Sequence, residues 1–95
     1  MSKIQQFEGV IYLQGEVSFE TVTLLRNHLQ SSIKPGVHSL DCSGVTKVDS
    51  SIASLLLVAL ALANDAGLSL TFNNLPAAAG KLLKLYDLDG IIHCQ

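Results

Sequence analysis

Between Leu40 and Ala63 the chain passes from a strand-like run, through Asp49-Ser50-Ser51, into a helix-length segment that carries no charge until Asp65. This transition restricts the fold more than any other feature. As a helix, the segment puts Ile52, Leu55, Leu56, Ala59, Leu62 and Ala63 on one face and Ala53, Leu57, Leu60 and Ala61 on the opposite one. A helix that is apolar all round calls for cover on both sides. A chain of 95 residues has little material to provide it, because burial is less complete at small size. Two readings follow. Either this is a central helix covered within its own domain, or its outer face docks on another protein.

Composition adds to that tension. The chain is 48% hydrophobic and 15% charged, with a mean hydropathy of +0.40, so some apolar surface is expected in solvent. Its net charge of −2 comes from scattered residues, and six Lys and Arg spread along the chain make no basic stripe. Nucleic-acid binding, which needs such a stripe to neutralise phosphates, is excluded. The opening residues Met1–Phe7 hold no apolar signal core, and the uncharged stretch Ser50–Asn64 is too short to cross a bilayer. Cys42 and Cys94 make no disulfide framework. The expectation is one cytoplasmic domain over residues 1–95.

The pattern alternates strands and helices. Val10, Ile11, Tyr12 and Leu13, bracketed by Gly9 and Gly15, read as a strand, and Lys3–Glu8 is compatible with a partner strand before it. Ser18 is placed to cap a helix over Phe19–Ser31, with Val22, Leu25 and Leu29 on one face and Arg26 off it. Lys34-Pro35-Gly36 breaks that helix. Val37–Cys42 reads as a central strand, Gly44 as a turn, and Asp49 as the cap of the apolar helix, which Asn64–Gly67 ends. Leu68–Phe72 is the next strand, Pro76 opens a third helix through Tyr86, and Ile91–His93 makes a short last strand. Such alternation in a short chain implies an α/β fold with one sheet and helices on a face.

The chemistry concentrates at Asp49-Ser50-Ser51. A carboxylate and two hydroxyls crowd the first turn of a helix, where backbone N–H groups lack partners and the dipole is positive. A polar knob on an apolar helix suits recognition by a partner, or modification of a serine. For Ser50 the plain alternative is an ordinary helix-start hydroxyl, and for Tyr86 it is a core residue packing on Leu82. Catalysis has little support. Ser50, Ser51 and Ser54 have no histidine placed to activate them, and no Gly-x-Ser-x-Gly elbow is present. His38 and Cys42 would share a strand face, with His93 and Cys94 near them, but four metal ligands at a recognised spacing are absent. No Gly-rich phosphate loop occurs, so no nucleotide or other cofactor is expected.

The run Leu40-Asp-Cys-Ser-Gly-Val-Thr-Lys-Val-Asp-Ser-Ser, followed by an apolar helix, resembles the signature of the STAS domain, and Gly15-Glu16 is similar to that family's Gly-Glu at the end of its second strand. The resemblance extends roughly from Gly9 to Ile92. It implies a small mixed sheet with helices packed mainly on one side. Within the family, antagonists of anti-sigma factor kinases typically read Asp-Ser-Ser-Gly or Asp-Ser-Thr-Gly, the second hydroxyl being the phosphoacceptor. Here that residue is Ser51, and phosphate on it would add nearly two negative charges beside Asp49. The glycine of that motif is replaced by the β-branched Ile52, which counts against close approach of a kinase. The MlaB-like branch, a small subunit of lipid-asymmetry ABC transporters, keeps an aspartate and one small hydroxyl, here Asp49 and Ser50. Its Leu-Tyr-x-Leu element is matched by Leu85-Tyr-Asp-Leu88. The resemblance to this branch implies a non-catalytic protein, peripheral at the inner-membrane face, that binds the transporter ATPase. Asp49, Ser50, Ser51, Ser54, Leu57 and Tyr86 would then make the partner contacts.

Overall fold

The computed structural model describes residues 2–92. Strands β1 (Lys3–Phe7), β2 (Val10–Val17), β3 (Ser39–Val48) and β4 (Thr71–Asn73) form one sheet in that spatial order. β1 runs antiparallel to β2, while β2, β3 and β4 are mutually parallel. The parallel pairs are joined through helices α1 (Val22–Ser32) and α2 (Ser51–Asp65), and α3 (Ala77–Leu85) follows β4. This is the small mixed sheet with helices on one face that the sequence implied.

Alternation along the strands explains the layering. Ile11, Leu13 and Val17 of β2, Leu40 and Cys42 of β3 and Phe72 of β4 are all buried and meet Leu25 and Leu29 of α1, the inner side of α2, and Ala79 and Leu83 of α3. The intervening residues Tyr12, Gln14, Asp41 and Asn73 are only half-buried on the other face. α1 lies beside α2 and also reaches β1 and β2, and α3 touches α2.

Several boundaries differ from expectation, each for a local reason. Lys3–Phe7 does form a strand, paired to β2 from Lys3↔Gln14 to Phe7↔Val10. The hairpin between them turns on Glu8 and Gly9, both with positive φ, and a Cβ at Gly9 would meet the His38 ring at 2.7 Å. Gly44 makes no turn. β3 continues through it to Val48, and its missing side chain leaves room for Gln14, whose Cγ would stand 2.8 Å from a Cβ there. α1 starts at Val22 rather than Phe19, because Ser18–Thr21 closes on itself as a turn. β4 is shorter than Leu68–Phe72, since only Thr71–Asn73 pair with Ser39–Asp41. α3 is one residue shorter at each end than expected, with Pro76 preceding it and Tyr86 following it. Ile91 and Ile92 form no strand: their N–H groups turn back to Leu88 C=O, and Ile92 enters the core. His93 and Cys94 lie outside the described residues. His38 is exposed ahead of β3 while Cys42 is buried within it, so the two do not share an environment.

Candidate functional site: the start of helix α2

Asp49 closes β3 and serves two neighbours at once. Its Oδ1 accepts the Ser51 N–H at 2.8 Å, and its Oδ2 accepts the Phe19 N–H at 2.9 Å from the β2–α1 turn. The helix begins at Ser51, with Ser50 at the cap position making no side-chain bond. Asp49 nevertheless does the capping work expected of it, since it satisfies one of the free N–H groups at the helix start. The Phe19 N–H, followed by that of Ser51, holds the Asp49 carboxyl below its ordinary pKa. The group is therefore an anion at neutral pH, in the region where a helix dipole favours negative charge.

The turn opposite is braced at every residue. Ser18 N–H donates to Thr21 Oγ1 at 3.0 Å, Glu20 N–H to Ser18 Oγ at 3.3 Å, and the N–H groups of Thr21 and Val22 to Ser18 C=O at 3.0 and 2.9 Å. The Thr21 hydroxyl donates to Glu16 C=O at 2.9 Å. Phe19, on this turn, is 83% exposed.

Of the residues expected to meet a partner, Asp49 and Ser50 directly precede α2, and Ser51, Ser54 and Leu57 lie on its first two turns. Ser50 and Ser54 are exposed, and Asp49, Ser51 and Leu57 are half-buried. Ser50, Ser54 and Leu57 with Ala61 follow one another at helical spacing as an uncharged stripe along the outer side of the helix. Tyr86 is elsewhere. It follows α3, is 48% exposed, and is fixed by its N–H to Leu82 C=O at 3.1 Å, so it is no core residue and lies on a different element. Ile52 is fully buried, as its place on one helix face with Leu55, Leu56 and Ala59 predicts, so it offers no bulk to an approaching kinase. Phe19 was missed altogether. Its spacing before Val22 mimics a continuation of the buried helical stripe, which hides its exposure in the sequence.

A second aspartate, near the start of β3, ties that strand to the residue that follows β4. Asp41 accepts from Ser43 N–H at 2.8 Å and from Asn74 Nδ2 at 2.9 Å. Burial pushes its carboxyl up, but the bonds from Ser43 and Asn74 outweigh this and leave the pKa lowered. Among the described residues no group of three or more His, Cys, Asp and Glu is arranged to hold a metal ion, and no helix is long and apolar enough to cross a membrane.

Comparison with solved structures gives the same architecture. A candidate anti-sigma factor antagonist of Thermotoga maritima superposes with a TM-score of 0.77 at 18% identity, covering 98% of this chain and 84% of that one. The anti-sigma factor antagonist SpoIIAA in its unphosphorylated form gives 0.73 at 14% identity, covering 100% and 88%. At such identities the likeness is one of fold. No curated protein matches the sequence. The family model described as Mlab, STAS domain, matches residues 2–93, and on that match the chain belongs to the MlaB-type STAS domain family.

Proposed function

We propose that this protein is a non-catalytic subunit of an ABC transporter that moves phospholipids to maintain outer-membrane lipid asymmetry. It binds the transporter's cytoplasmic ATPase and stabilises the active assembly. The observation that carries this reading is the MlaB-type family match over residues 2–93. The start of α2 supports it. Ser50 and Ser54 lie open at the head of an uncharged helical stripe with Leu57 behind them, and exposed surface depleted of charge suits the centre of a protein interface. In this reading Ser50 presses into the ATPase, Ser51 and Leu57 extend the contact, and Asp49 holds the helix start in shape. Tyr86, half-exposed after α3, supplies a separate contact.

The second reading is an anti-sigma factor antagonist switched by phosphorylation of Ser51. Two observations favour it: the fold shared with such antagonists, and the inward burial of Ile52, which leaves Ser51 approachable. Phosphate there would stand beside the Asp49 anion, and repulsion would open the clamp.

One experiment separates the two. Tagged wild-type protein and Ser50→Arg are purified from detergent-solubilised cells, and bound proteins are identified by mass spectrometry. An ABC ATPase and permease recovered with wild type and lost with the arginine is the expected result. A serine kinase in their place, with phosphate on Ser51, would replace the transporter reading by the signalling one.

A further inference from the structure

Phe19 has the greatest exposure of any large apolar side chain among the described residues. An aromatic ring left in water forgoes the stabilisation its burial would give, and in a floppy loop this would carry no meaning. Here the backbone is not free. Each N–H from Ser18 to Val22 has an acceptor within 3.3 Å, and that of Phe19 itself is held by Asp49. The ring therefore projects from a turn that is already ordered, so binding through it costs little further loss of backbone entropy. The same carboxylate holds the Ser51 N–H. One group thus sets the positions of Phe19 and of the α2 start relative to each other.

Acidic residues predominate in the segments that meet at this turn. The segments Gly15–Leu25 and Asp49–Asp65 contain Glu16, Glu20, Asp49 and Asp65 and no Lys or Arg. The nearest cations in sequence are Lys47, opposite Glu16 in the β2–β3 pairing, and Arg26, farther along α1. Glu20, next to the ring, is exposed.

The geometry points to Phe19 as the aromatic anchor of the partner-binding surface, seated in an apolar pocket of the partner protein whose rim carries Lys or Arg facing Glu20. Ser50, Ser54 and Leu57 lie against the same partner beside it. This rests on the reading of α2 as the partner face. A few buried anchors, aromatic ones prominent among them, carry most of the binding energy of an interface, and an exposed carboxylate beside the anchor favours a basic rim. Asp49 is a positioning residue here, since it orders the turn without being the contact.

The test uses the full chain in cells. A photo-crosslinking benzoyl-phenylalanine replaces Phe19, Ser54 or Phe7 in turn, Phe7 being an exposed aromatic (65%) at the end of β1. Adducts are identified by mass spectrometry, and affinity for the captured protein is then measured with purified components. Positions 19 and 54 are expected to capture the same protein and position 7 not to. Phe19→Ala should weaken binding by about tenfold or more and Phe7→Ala by less than about twofold. Phe19→Leu should fall between wild type and Phe19→Ala. Glu20→Gln should reduce the salt dependence of binding. Capture at 54 without capture at 19, or unchanged affinity in Phe19→Ala, would overturn the anchor and leave the α2 reading standing. Capture at 7 alone, or at neither 19 nor 54, would overturn both.

Discussion

The two sides of α2 are made of nearly the same residue types yet live in different surroundings. On the inner side Ile52, Leu55, Leu56, Ala59 and Ala63 are buried against the sheet and the flanking helices. On the outer side Leu57, Val58 and Leu60 are half-buried, and Ser54 and Ala61 are exposed. Inner residues hold the domain together through burial and close packing. Outer ones contribute less to the fold and leave an uncharged strip beside Phe19. The contrast teaches that apolarity in a helix shows where water is unwelcome, without showing whether the cover comes from the same chain.

That contrast breaks down if inner and outer substitutions behave alike. The largest separation is expected from Leu56→Ala. Removing this fully buried side chain should cost about 2–5 kcal/mol in urea unfolding, a large share of the stability of a small domain. Asp49→Ala comes next, because it frees the N–H groups of both Ser51 and Phe19. Loss of a cap of this kind costs about 1 kcal/mol and should lower Tm by about 4–8 °C, with weaker partner binding. If binding survives while Tm falls, the clamp is structural only.

Acid sharpens the same point. Hydrogen bonding in the fold lowers the pKa of Asp49. Its contribution is therefore present above the unfolded-state value and is lost as pH falls through the lower folded value. Stability should decline from around pH 5 downward, and Asp49→Asn should flatten that decline relative to wild type in thermal melts. Asp41, also lowered, should account for part of what remains. The smallest effect on folding is expected from Ser54→Lys on the outer side, within about 0.5 kcal/mol of wild type. Its signature is loss of partner recovery by a protein that melts normally.

Much of the architecture was legible. The glycine-bracketed apolar run at Val10–Leu13, the run Val37–Cys42 and the apolar stretch after Asp49 placed two parallel strands and α2, because runs of apolar residues between turn signals report elements that pack on a core. The two-oxygen role of Asp49 was legible only by half. A cap at a helix start follows from local sequence, whereas the bond to Phe19 joins residues 30 apart. Gly44 looked like a turn because glycine is usually punctuation, and only the neighbouring strand shows that it makes room for Gln14. Ile52 looked like an obstruction in a motif, yet its helix face, shared with Leu55, Leu56 and Ala59, already pointed it inward, where it is buried.

Local patterning by itself determined most of the order of elements, one sheet with helices on a face, and an apolar helix headed by a capping aspartate, since each depends on periodicity and backbone preference over a few residues. Tertiary structure alone decided which side of α2 stays open and that Phe19 stands in solvent. Exposure belongs to pairs of surfaces, and those pairs exist only once α1 and α3 have taken their places beside α2 on the sheet.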